Sequence, residues 1–342
     1  MSLLRDGWRE RLAEELRGMH HTDYAPGQEL IESRLIMAEG YYKLGDFERM
    51  IDAVVDGLNE APDHWRFRQL FGWLKLGCGN YRGWADLRRA RALRENEWNG
   101  EPLRGKSIRV VQIEGYGDAI MHARFLPALV EDAREVYVDV PETLVRLFAF
   151  NFPRVKINQE GETDYSIAAT GLGMYLADRA QLVPYLKAEA PVVKAPGKLS
   201  VALTWAGNPL HPYDRYRSVE YAEIAELLKV PDVEFVALQF GEAAQWCRTL
   251  PSLAHNGDFL DTANLLSSID LLISVDTAVV HLAAAMGRPV WAILRDPIDW
   301  RWGIPEQRGD WYADVVRQFR NSSMSEIADA LRKYIASRST PL

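Results

Sequence analysis

The stretch DLLISVDTAVVHLAAAMGRPVWAIL, residues 270–294, leaves this chain little choice of fold. Leu271 to Val275 is a run of strand length, apolar but for Ser274, Ala278 to Met286 a helix, and Pro289 to Leu294 a second apolar run. A strand, helix and strand so largely apolar need burial on all sides, the condition of a parallel sheet covered by helices. Three polar side chains, Asp276, Thr277 and His281, sit where the first strand gives way to the helix. Asp276 or Thr277 can cap the helix, and the N–H groups of Thr277, Ala278 and Val279 can face an anion. His281 follows Thr277 by one turn on the same face and could reach the same ligand, although a lone histidine near a helix start is more often structural. Ser274, Asp276 and His281 do not make a hydrolase triad, because no G-x-S-x-G elbow is present.

The same alternation recurs through the last two thirds of the chain. GEPLRGKSIRVVQI carries turn residues and then a strand, Ile108 to Ile113. A loop and helix follow in EGYGDAIMHARFLPALVEDA, then the strand EVYVDV, the helix PETLVRLFAF and short strands in RVKI and DYSIAA. Residues 184–198, PYLKAEAPVVKAPGK, have four Pro or Gly and no periodicity, and read as a linker. A second series then runs through LSVALTWAG, a helix from Ser218 to Leu228, VEFVALQFG, a helix near 261–268, the opening stretch, and a last helix from Ser325 to Ala336. Alternating strands and helices imply two doubly wound α/β domains, with ligands in the cleft at the C-terminal ends of the strands.

Residues 1–98 are helical in pattern and carry an internal repeat. At an offset of 34, Met37 meets Phe71, Ala38 meets Gly72, Gly45 meets Gly79, Phe47 meets Tyr81 and Met50 meets Trp84. Small residues at 38 and 72 let paired helices approach closely, and the glycines at 45 and 79 suit the turn between helices. The period and residue types resemble the tetratricopeptide repeat; an ordinary helical bundle is the alternative. The expected division is 1–98 helical, 99–190 first α/β domain and 191–342 second α/β domain with the C-terminal helix. At 342 residues the chain exceeds one ordinary core.

A net charge of −8 argues against a surface devoted to nucleic acid. No apolar run reaches membrane-spanning length. The charged, helix-patterned start lacks a signal peptide's apolar core, so a cytoplasmic location is expected. Cys78 and Cys247 match no metal-ligand spacing and are expected as free thiols.

Three further segments carry candidate chemistry. In QIEGYGDAIMHARFLPAL, Gly115 and Gly117 permit close backbone approach to a ligand, and Asp118 stands at a helix start, as a functional carboxylate or only as a cap. Tyr116 and His122 are counted on the same side of the cleft. In TWAGNPLHPYDRYRSVE, Gly207 and Asn208 make a turn, and Arg215 and Arg217 precede a Ser218 cap. Two arginines there suit a diphosphate, unless they pair with Asp214 and Glu220. Gln239, which ends the strand in VEFVALQFG, is counted on this second side. Trp300, Arg301, Trp302, Trp311 and Tyr312 suit a nucleobase or sugar face, or equally the packing of bulky aromatics.

GYGDAIMHARFLPAL, WAGNPLHPYDRYRSV, the opening stretch and DWRW followed by WY, in this order and at these separations, resemble one family. The chain is similar to bacterial tetratricopeptide-repeat proteins fused to a glycosyltransferase domain of the ADP-heptose:lipopolysaccharide heptosyltransferase family. The resemblance implies a GT-B fold of two Rossmann-like domains, acceptor on the first and nucleotide-sugar on the second. It implies inverting transfer from a nucleotide-diphosphate sugar without a metal or other cofactor. Asp118 would be the general base, with Gly115, Tyr116, Gly117 and His122 on the acceptor side. Gly207, Asn208, Arg215, Arg217, Gln239, Asp276, Thr277, Ala278 and His281 would serve the donor. The acceptor would be a glycan, a lipid-linked sugar or a protein, and the repeats could bind a protein partner or self-associate. Ala278 stands where the family tends to have Gly, and Arg295 where a proline-containing loop is more typical. The competing reading is a catalytically degenerate scaffold whose repeats bind partner peptides.

Overall fold

The computed structural model describes residues 28–78, 80, 83–89, 96–112, 115–190, 198–211, 214–240, 243–244, 257–303, 310–312 and 315–339. Its packing divides the chain into two units. Helices before residue 95 group with Asp296–Trp311; the rest of the chain from Glu95 forms the other unit. The expected readings at residues 1–27, at Gly79, Tyr81 and Cys247, and at 191–197 fall outside the described residues.

In the first unit, α1 (Gln28–Leu44), α2 (Phe47–Glu60), α3 (Trp65–Gly77) and α4 (Gly83–Arg89) pair as α1 with α2 and α3 with α4. The turn between the first pair follows from its residues. Gly45 takes φ +74°, Asp46 N–H donates to Tyr41 O and Gly45 N–H to Tyr42 O, both at 3.0 Å. This is the closing geometry that a glycine after a helix favours. Asp46 then caps α2 by accepting from Arg49 N–H at 3.2 Å. Met37, Ala38, Tyr41, Met50, Val54 and Leu70 fill the space between helices. Ala38 is fully buried, and a Cβ on Gly72 would lie 2.8 Å from Gly83 O, so the small residues at the repeat offset do sit at tight approaches.

The tryptophans find their place in this unit. Trp84, Trp300 and Trp311 are buried and meet edge to face, with centroids 5.7 Å (Trp84–Trp300), 6.3 Å (Trp84–Trp311) and 6.4 Å (Trp300–Trp311) apart. Trp302 is buried as well, and Arg301 stacks on Trp300 while pairing with Asp299 at 2.6 Å. Bulky-aromatic packing thus accounts for the Trp-rich segment, because its rings are withdrawn from solvent.

The second unit contains two parallel sheets. The first is ordered β3-β2-β1-β4, from β1 (Ser107–Val111), β2 (Glu135–Asp139), β3 (Val155–Ile157) and β4 (Tyr165–Ala168). Its helices include α5 (Tyr116–His122), α6 (Leu126–Asp132) and α7 (Glu142–Asn151). The second is ordered β6-β5-β7-β8-β9, from β5 (Leu199–Thr204), β6 (Val233–Ala237), β7 (Leu271–Val275), β8 (Val290–Leu294) and β9 (Val316–Arg320). Between them run α8 (Phe259–Leu266) and α9 (Ala278–Ala285), and α10 (Met324–Ser339) follows β9. Every strand pair is parallel, and the two sequence runs that open the argument, β7 and β8, are buried along their full length. The α/β class with parallel sheets agrees with the sequence reading.

Three local expectations change. Ser218 to Leu228 is not one helix but a short turn of helix at Tyr221–Ile224 and a 3-10 turn at Leu227–Lys229. Val219 N–H donates to Trp205 O at 2.8 Å, which ties this stretch to the preceding loop instead of to a helix ladder. The edge strand β9 was not expected, since VRQFR hides its one deeply buried residue, Phe319, among charged neighbours. The first part of the linker is anchored: Tyr185 and Leu186 are buried, and their N–H groups donate to Ala285 O at 2.9 and 3.1 Å.

Gly57 in α2 lies under the fully buried Phe67 ring, where a Cβ would come within 2.3 Å of the ring edge. Gly57→Ala is expected to destabilise the chain by about 1–3 kcal/mol despite the better helix propensity of alanine, measured as a lowered urea midpoint.

Candidate functional site

Each sheet reverses its strand order once, between β1 and β4 in the first and between β5 and β7 in the second. Ligands of open α/β sheets sit beyond the carboxyl ends of strands at such points. The three glycine- and aspartate-bearing segments leave the sheets there: β1 leads to Gly115–Asp118, β5 to Gly207–Arg217 and β7 to Asp276–His281.

Two of them meet. Helices α5 and α9 pack against each other, and the contact is close because residue 117 has no side chain. A Cβ there would lie 2.7 Å from Cδ2 of His281 and 3.6 Å from Cα of Ala278. The first turn of α5 therefore lies beside the first turn of α9. Gly115 has a different environment: its φ of −75° suits any residue, and among the described residues a Cβ would meet only Asp118 Oδ2, at 3.5 Å. Neither backbone strain nor packing among the described residues calls for glycine at 115.

Asp118 stands at the third position of α5. Its Oδ2 accepts the Gly115 N–H at 3.1 Å, and its carbonyl accepts the Nδ1–H of His122 at 2.8 Å. The carboxylate thus closes the helix start, as the capping alternative required, and remains partly accessible. His122 itself is buried and helps line a small cavity with Val110, Gln112, Phe148 and Leu172, beneath α5 and not on its open side. Tyr116 is 45% exposed and packs its ring 5.3 Å from that of Phe259.

At α9, Thr277 is the N-terminal residue in extended conformation, but its side chain caps no N–H of the first turn. It lies instead 3.3 Å from Ser274 Oγ, which donates to Val275 O at 2.7 Å. Ser274 is fully buried and tied to its own strand end, which disposes of the triad geometrically. The Thr277 hydroxyl thus leaves the first N–H groups of α9 uncapped by its own side chain, at the end of the helix that carries positive potential. His281 is buried, with Nδ1 3.2 Å from Tyr312 Oη and Nε2 3.8 Å from Asp276 Oδ1. Burial pushes the Tyr312 hydroxyl well above the ordinary phenol range, so it meets His281 as a neutral group. The histidine lies within the α5–α9 packing and reaches the cleft edge through Asp276.

The loop after β5 is held from within. Gln239 is buried and its amide is fully used: Oε1 accepts from Trp205 and Ala206 N–H at 2.9 and 3.0 Å, and Nε2 donates to the Ala206 and Phe240 carbonyls at 2.9 and 3.0 Å. Its chemistry is to shape the loop. Gly207 N–H donates to Ser218 Oγ at 2.9 Å, so Ser218 brackets this loop and starts no helix. A Cβ on Gly207 would lie 2.6 Å from Asp214 Oδ1 and Arg217 Nη2. Arg217 pairs with Asp214 at 3.1 Å, the local pairing that the sequence allowed. Arg215 is exposed and lies over the Tyr216 ring at 4.6 Å, and Asn208 Oδ1 accepts Leu210 N–H at 3.0 Å to close the turn. Arg295 pairs with Glu223. Among the described residues no three His, Cys, Asp or Glu are grouped to hold a metal, and no helix is long and apolar enough to cross a membrane.

Comparison with known proteins falls on the same edge. Residues 241–320 match the family model "Glycosyltransferase family 9 (heptosyltransferase)". Protein FlbA of Caulobacter vibrioides is 25% identical over 292 residues, 70% of this chain and 48% of FlbA, so the chain spans about half the length of that curated relative. Among solved structures, the glycosyl transferase family 9 protein of Veillonella parvula is 13% identical, covering 70% of this chain and 98% of its own, at a TM-score of 0.48. The E. coli heptosyltransferase WaaC with ADP is 11% identical, covering 68% and 100%, at 0.46.

Sequence reasoning missed Tyr312's link to His281, Tyr185, Arg124 and Ser218's role in the loop. Only the crowding of aromatic and arginine side chains near 300–312 hinted at the first. The two glycines give a direct test. Gly117→Ala should lose about 1–3 kcal/mol in urea unfolding, because the buried imidazole cannot withdraw. Gly115→Ser should change stability by less than about 0.5 kcal/mol, serine being at least as good a cap.

Proposed function

We propose that this chain is a glycosyltransferase that moves a sugar from a nucleotide-diphosphate donor to an acceptor hydroxyl, with inversion and without a bound metal. One observation carries the reading: the family match at 241–320 spans the start of α9, at the switch point of the second sheet. The two parallel sheets are read as the halves of a GT-B fold. The diphosphate lies against the N–H groups that open α9, with Asp276, Thr277 and Ala278 at the same edge and Arg215 and Arg217 across the loop after β5. Positive groups there stabilise the leaving nucleoside diphosphate as its bond to the anomeric carbon breaks. Gln239 and His281 act by holding the loop and the helix.

Asp118 is the proposed base. As the acceptor oxygen bonds to the anomeric carbon, its proton passes to the Asp118 carboxylate, which the Gly115 N–H holds in one orientation. The open space at Gly115, unexplained by packing, is read as room for the acceptor, with Tyr116 as a flanking surface. The helical hairpins of the first unit are read as tetratricopeptide-type repeats that engage a protein partner or a second copy.

The degenerate-scaffold reading draws on two observations: Asp118 is engaged as a cap, and Arg217 is already paired with Asp214. Nucleoside diphosphates separate the two readings. ADP, UDP, GDP and CDP are screened by thermal shift, and a donor site raises the melting temperature with its own nucleotide by mass action. No shift with any of them favours the scaffold. Asp118→Asn keeps an acceptor for the Gly115 N–H, so the fold and the nucleotide shift should persist. Donor turnover is expected to fall about 100-fold or more in that variant; undiminished turnover removes Asp118 from the chemistry.

A further inference from the structure

Behind α9 lies a chain of buried polar groups that no role yet accounts for. Arg124, Tyr185, Tyr312 and His281 are each at most 6% exposed. Arg124 Nε donates to Met121 O at 3.0 Å and Nη2 donates to Tyr185 Oη at 3.3 Å. The guanidinium lies over both phenol rings, 5.0 Å from each centroid. Tyr185 Oη donates to Ile120 O at 3.2 Å and lies 3.4 Å from Tyr312 Oη, which is 3.2 Å from His281 Nδ1. The groups come from the α5 region, the anchored part of the linker, the segment before β9, and α9.

Counting protons gives this chain a direction. Arginine only donates and an ionised carboxylate only accepts. Tyr185 has one proton, and Ile120 O takes it. Tyr312 lies under the Arg124 guanidinium and has one proton to give, within reach of Tyr185 Oη at 3.4 Å and His281 Nδ1 at 3.2 Å. If it gave that proton to Tyr185, a neutral His281 would have to donate from Nδ1, leaving the bare Nε2 lone pair facing the Asp276 carboxylate at 3.8 Å. With the Tyr312 proton on His281 Nδ1 instead, the Nε2–H faces that carboxylate and the conflict is gone.

We propose that Tyr312, backed by Arg124, is a positioning residue for the α9 edge: its hydroxyl donates to Nδ1 of His281, so the ring proton sits on Nε2 and faces Asp276. The ring orientation and the Asp276 carboxylate are then set from the far side of the helix. The consequence for nucleotide binding rests on the donor-site reading above; the wiring itself does not.

The test has two arms. Long-range proton–nitrogen correlation NMR of the nitrogen-15-labelled full chain at about pH 8, above the ordinary histidine range, reads the His281 tautomer, assigned by its loss in His281→Gln. A proton on Nε2 alone is expected; a proton on Nδ1, or on both nitrogens, overturns the proposal. In the second arm, the nucleoside diphosphate that gives the largest thermal shift is titrated calorimetrically. Tyr312→Phe and Asp276→Asn should each weaken its binding about 2- to 10-fold. The double variant should be no weaker than the weaker single variant, since both break one chain; losses that multiply overturn the coupling. Where Tyr312→Phe fails to fold, Arg124→Lys takes its place in the cycle. A wild-type chain with the Nε2 proton that binds no nucleoside diphosphate sinks the donor-site reading and leaves the wiring standing.

Discussion

The approach of α5 to α9 over Gly117 is the contact on which the site depends. Each helix leaves the carboxyl end of a strand at its sheet's switch point, so either alone would present a polar edge to solvent. Their contact places those edges side by side, with Asp118 on one and Asp276 and Thr277 on the other. The distance is set by a missing side chain: any Cβ at 117 would enter the space held by His281. A buried imidazole between two helices has no room to turn, and so the geometry is fixed without a flexible loop.

Polar side chains around this edge divide into those that build it and those that can act on it. Gln239, Ser218 and Asp214 bond to the loop after β5 or to its arginine, and Tyr185, Tyr312 and Arg124 bond behind α9. Buried amides, phenols and guanidinium groups carry a large desolvation cost when left unpaired, which is why they appear in connected sets. At the open edge stand the first N–H groups of α9, exposed Arg215 and partly accessible Asp118. Capping and catalysis are compatible for Asp118, since a fixed carboxylate orientation serves both.

The helical unit follows a plainer logic. A glycine-closed turn at Gly45, small residues at tight crossings, an apolar cluster between the helices and three edge-to-face tryptophans build it. The segment Asp296–Trp311, although it lies between two strands of the second sheet, gives its aromatic residues to this unit. Aromatic and arginine density is therefore a weak guide to a binding face when the same rings can fill a core.

Local order was legible from residues alone wherever one physical rule dominated. The apolar runs around 271–275 and 290–294 required buried parallel strands, and Gly45 suited a turn between helices. Asp118 was legible as a helix-start carboxylate. The broken helix after Ser218 and the edge strand β9 were not, because bonds to distant loops and a single buried Phe319 decide them. Nor could the sequence distinguish Gly115, which faces open space, from Gly117, which faces His281. It also gave no sign that Gln239 spends its whole amide on the loop after β5, or that Tyr312 would face His281. Backbone propensity and hydrophobic period act within a few residues and are written in the order of the chain. Close approach, burial and the pairing of polar groups depend on which distant segments meet, and only the tertiary structure decided those.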